Sequence, residues 1–136
     1  MGEFSFAVSR FASQTKEREK LVIRKIAIEC FRRIILGTPV DTGRARGNWQ
    51  ATTGSMAGGT VEKLDATGSA TIAAMKSEVS GWTPKDDLPA FITNNLPYIQ
   101  RLNEGRAGGE GWSKQAPAHF IEQVIADMGG IVEASV

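Results

Sequence analysis

The stretch TPVDTGRARGNW, Thr38 to Trp49, admits two readings that lead to different folds. If Asp41 is a reacting carboxylate, its Asp-Thr-Gly triplet belongs in a loop between buried strands, and an all-β domain should surround it. If Asp41 instead caps a turn, it accepts backbone amide hydrogens at the start of a short helical segment, with Thr42 helping and Gly43 allowing close backbone approach. A helix should then end before the stretch and a strand begin after it. The flanking residues fit the second reading.

Upstream, from Gln14 to Leu36, the residues Ile23, Ile26, Ala27, Cys30, Phe31 and Ile34 recur at the spacing of one helix face. Lys25, Glu29 and Arg32 fall on the opposite side, and Arg32 and Arg33 stand where a last turn favours positive charge. Gly37 is expected to supply a left-handed cap, with Pro39 preventing continuation. Downstream, NWQATT (Asn48 to Thr53) alternates like a strand, with Trp49, Ala51 and Thr53 on one face.

Outward from this centre the pattern continues. The first twelve residues form an apolar N-terminal arm, with Phe4, Phe6 and Phe11 in an extended segment that must cover either this domain's own core or a neighbouring copy. GSMAGGT (Gly54 to Thr60) reads as a loop, Ala66 to Val79 as a short Ala-rich helix, and AFIT (Ala90 to Thr93) as a second strand closed by Asn94-Asn95. Leu96-Pro97 opens a short helix that Gly105 stops. Pro117, Phe120, Ile121, Val124, Ile125 and Met128 mark a C-terminal helix, which Gly129-Gly130 is expected to end. The expected fold is α+β, a single domain over residues 1–136 in which a long N-terminal helix and a C-terminal helix pack on a small antiparallel sheet.

The net charge of +1 gives no global pull toward nucleic acid, but it is unevenly placed. Residues 1–50 carry 10 Lys/Arg against 5 Asp/Glu, and residues 51–136 carry 6 against 10, so copies of the chain could meet with opposite charges facing. The single cysteine, Cys30, sits in the apolar stripe and reads as a small buried hydrophobe. The N-terminus lacks a long apolar run after a basic start, no segment approaches a membrane span, and a reducing cytosol is the expected setting.

Catalytic readings fail on context. The Asp-Thr-Gly of pepsin-like and retroviral proteases works as a dyad sharing one proton; here Arg44 and Arg46 follow Asp41 and would favour ionisation of both acids. Both arginines are expected to project outward toward an acidic neighbour. GRAGGEGWS, the Gly-rich loop 105–113, has neither the spacing nor the lysine of a phosphate-binding loop and reads as a surface loop. His119 has no metal-ligand spacing to Cys or carboxylate, and no nucleophile elbow accompanies it, so it is expected at a surface or a cap. Arg24, Lys25, Arg32 and Arg33 lack the interleaved aromatics of a nucleic-acid surface. No catalytic residue, cofactor or metal is expected.

Three motifs in order, TPVDTGRARGNWQ (Thr38 to Gln50), FITNNLPYIQRLNEG (Phe91 to Gly105) and SKQAPAHFIEQVI (Ser113 to Ile125), resemble the small neck proteins of tailed bacteriophages. These are minor virion proteins that join head to tail or complete the tail, and the resemblance covers most of the chain, from about Phe4 to Val124. It implies a non-enzymatic subunit, assembled in the host bacterial cytoplasm, that forms a homo-oligomeric ring between the portal or connector and the tail-terminator or tail-tube proteins. DNA would pass through the lumen without sequence-specific binding, and no membrane is involved. In that setting Phe4, Phe6, Phe11, Arg44, Arg46, Arg106 and Trp112 are candidate subunit or partner contacts. Asp41, Gly43, Asn94, Asn95, Pro97 and Pro117 match the family pattern as fold-defining turns. The Gly-rich segment looks longer than usual for the family.

Overall fold

A computed structural model describes residues 4–8, 17–40, 42–83, 89–104 and 119–135. Phe11, Asp41, Arg106, Trp112, Pro117 and the 105–113 loop lie outside them.

The chain is an α+β domain built on a three-stranded antiparallel sheet. Strand β1 (Phe4–Val8) and strand β2 (Gln50–Thr53) flank the central β3 (Ala90–Asn94). Phe6 pairs with Ile92 on one side of β3, and Ala51 pairs with Ile92 on the other. The extended arm is thus an edge strand of its own chain's sheet. In the central strand Ala90, Ile92, Thr93 and Asn94 are fully covered, as expected for residues with a neighbouring strand on each side.

The long helix α1 (Glu17–Gly37) supplies most of the core: Ala27, Cys30, Phe31, Ile34 and Ile35 are buried. Its apolar stripe is wider than the sequence spacing suggests because two helices flank it, α3 (Ser69–Ser80) and α5 (Phe120–Ser135). Helix α3 contributes Thr71, Met75 and Val79 at i, i+4 and i+8 and also packs on β2. The remaining helices are single turns or little more: α2 (Arg44–Gly47) and α4 (Ile99–Glu104).

Three expectations about the helices need correction. Gly37 is not a left-handed cap; it is the last residue of α1, and its backbone is not among the positive-φ glycines. The helix closes with the Thr38 amide on the Ile35 carbonyl at 3.3 Å and the Thr38 hydroxyl on the Ile34 carbonyl at 2.8 Å, and Pro39, which has no amide hydrogen, follows. Arg32 and Arg33 do not stand in the last turn, which holds no basic residue; both pair with Glu29, at 3.3 and 2.7 Å. Helix α5 runs through Gly129-Gly130 to Ser135, since an interior glycine costs a helix only about 1 kcal/mol and Ile131 and Val132 continue the apolar spacing. The strand expected in NWQATT is present as β2, its four residues all half-buried, with Gln50 and Thr52 donating to the Gly59 and Ser55 carbonyls of the following loop.

Candidate partner surface at the Thr38–Trp49 corner

The corner between α1 and β2 is held by polar side chains facing inward. Thr38 is buried and uses its hydroxyl twice, donating to Ile34 and accepting the Trp49 indole N–H at 2.8 Å. A hydroxyl offers one donor and two acceptor sites, so both bonds are compatible. Asn48, also buried, donates to the Arg44 carbonyl at 2.8 Å, closing α2, and accepts the Val61 amide at 2.8 Å. Asn94 reaches from the end of β3 to the Ala45 carbonyl at 2.9 Å and accepts the Leu96 amide at 3.2 Å, a local Asx turn.

Gly43 is required here by space as well as by conformation. It precedes α2 at φ 89°, and a Cβ on it would stand 2.5 Å from the Ala66 nitrogen. That close approach allows the Asp65 amide to reach the Gly43 carbonyl at 3.0 Å. Thr42 accepts the Arg44 amide at 3.3 Å. Asn95 ties the neighbouring loop, donating to the Ala57 and Gly59 carbonyls, and Pro97 lies exposed in the turn before α4.

Arg46 corrects the expectation that both arginines point outward. Its guanidinium donates to the Ala66 carbonyl at 2.7 Å and to the Leu36 and Thr38 carbonyls, each at 2.9 Å. It therefore satisfies carbonyls that the end of α1 leaves without helical partners. Burial lowers its pKa from the usual value, with the Asp65 charge acting in the opposite direction. Arg44 is exposed, as expected.

Sequence reasoning passed over Asp65. It is 9% exposed and accepts three hydrogen bonds, from the Gly68 amide at 3.1 Å, the Thr71 amide at 2.8 Å and the Thr71 hydroxyl at 2.7 Å. Burial pushes its pKa up, but the bonds from Thr71 and Gly68, with Lys63 nearby, outweigh that and leave it below the usual carboxylate value. The signal was present in DATGSAT: an acid, a glycine three residues on and a threonine at six, just before the helix.

A second polar clasp joins α4 to α5. Buried Asn103 accepts the Ile121 amide at 3.0 Å, donates to Glu122 at 2.6 Å, and receives the His119 amide on its own carbonyl. His119 is exposed at φ 60° and its carbonyl accepts the Gln123 amide, so it is a cap residue. Its ring lies 3.5 Å from Glu122. Burial raises the Glu122 pKa, but the Asn103 bond and His119 prevail and hold it below the ordinary value.

The candidate contact residues do not converge on one site. Phe4 and Phe6 belong to the β1 edge, Arg44 to the corner, and Arg46 to the corner's interior. Of the basic residues of α1 whose side chains are described, Arg24 donates to the Trp82 carbonyl at 2.7 Å and Arg32 and Arg33 pair with Glu29, while Lys25 is exposed. Among the described residues no group of His, Cys, Asp and Glu could hold a metal, and no helix is long and apolar enough to cross a membrane. No protein-family model matches this chain, and no curated protein or solved structure is significantly similar to it.

Proposed function

We propose that the chain is a structural subunit of a tailed-phage virion neck, one copy in a ring that joins the DNA-filled head to the tail. The reading starts from the three ordered motifs, and one observation supports it most. The motifs are bonded to one another: Asn94 of the second holds Ala45 of the first, and Asn103 of the second holds His119 and Ile121 of the third. Residues that define the resemblance are thus spent on shaping a rigid small domain. In this reading the corner stretch is a turn, Gly43 and Arg46 are its backbone supports, and Arg44 remains free to meet a neighbour. DNA passes through the lumen without sequence reading, and the adjoining rings are the portal or connector above and the tail terminator or tube below. A terminator or stopper ring at the same junction would use the same domain.

Electron micrographs of lysates from the parent phage lacking this gene test the proposal. Filled heads and finished tails lying apart, rejoined when an Asp41→Asn protein is supplied, is the expected result. Misshapen or unprocessed heads that Asp41→Asn cannot rescue, while the unaltered protein can, would overturn it in favour of aspartate chemistry.

A further inference from the structure

The corner carries an exposed feature that the fold does not use. Leu64 is 70% exposed and Leu36 is 37% exposed. Leu64 and the exposed Arg44 flank the Gly43–Asp65 hydrogen bond, and Leu36 lends its carbonyl to Arg46. The backbone beneath them is fixed by the Arg46 fork and by the tight approach of Gly43 and Gly47 to residues 63–66. A rigid platform showing leucine beside an arginine loses little freedom on binding. Helix α5 offers the complementary charge. It holds three acidic residues and no basic one, and its exposed positions, Glu122, Gln123, Ala126 and Asp127, recur at helical spacing along one face.

Resting on the ring reading, we propose that neighbouring copies of this chain meet head to tail. The Arg44–Leu64 corner of one copy seats against the Glu122–Asp127 face of α5 in the next. Two different patches make a heterologous contact, the kind that closes into a ring when the rotation per copy is right. Charge sets the register, and the leucines supply the apolar contact.

The test is sedimentation of the full chain across a concentration series, with Arg44→Glu, Asp127→Lys, the double variant, and Leu64→Asp. All these positions are exposed, and thermal melts confirm that each variant folds. Each single change is expected to weaken association at least about tenfold, as loss of roughly 1.4 kcal/mol would, and the double charge exchange to restore most of it. If the single variants assemble like the parent, or the double variant fails to recover, this contact is wrong while the ring reading stands. A parent chain that stays monomeric at every concentration would overturn both.

Discussion

At the scale of single residues, the corner depends on groups whose alternatives cannot do the same work. Gly43→Ala would place a methyl 2.5 Å from a backbone nitrogen at a φ that L residues rarely adopt, and should cost about 3 kcal/mol in urea unfolding. Thr38→Val keeps the shape but removes the acceptor of the Trp49 indole and the donor to Ile34; an expected loss of about 1–3 kcal/mol is checked by the same measurement. Asp65 predicts a pH dependence. Its folded pKa lies below its unfolded one, so its contribution is complete above the unfolded value of 3.8 and is lost as pH falls through the folded value. Melting temperature should therefore drop more steeply between about pH 4 and pH 2 in the parent than in Asp65→Asn. Cys30 is buried, and burial raises its thiol to about 11, so a thiol reagent at neutral pH should label it only on unfolding.

At the scale of elements, the C-terminal helix gives a direct contrast. If α5 continues through Gly129, Gly129→Ala should raise helical circular dichroism and stability by about 0.5–1 kcal/mol; a left-handed terminating glycine would lose stability on the same change. Periodicity made α1 and α5 legible, because a buried helix face repeats about every 3.6 residues, whereas α3 was legible from its alanines and β3 from a short apolar run. Terminations were harder. Gly37 resembles a cap in sequence, yet it is the last helical residue, and the carbonyls at the end of α1 are satisfied by Arg46, whose partners Leu36, Thr38 and Ala66 are brought together only by the fold. The roles of Asp65 and Asn103 were similarly hidden. Asp65 acts locally, but Asn103 bonds residues 18 and 19 positions away, which no spacing rule anticipates.

At the scale of the whole molecule, the uneven charge along the sequence is not cancelled where α1 packs against α5: the described ion pairs of α1 run to its own Glu29, and Glu122 and Asp127 of α5 face outward. Among the exposed charges, Arg44 at the corner and Glu122 and Asp127 on α5 are those that the proposed contact brings to a neighbouring copy. Association through those groups should weaken as salt rises from about 0.05 to 0.5 M, since exposed charges are screened beyond a Debye length of roughly 10 Å at 0.1 M. The Asn103 clasp has a further consequence. By joining the His119 amide to the Asn103 carbonyl, it brings both ends of the 105–118 segment to one anchored point. The start of α5 is therefore registered on α4 through backbone as well as side chain, and the two helices should open together in amide hydrogen exchange rather than one at a time.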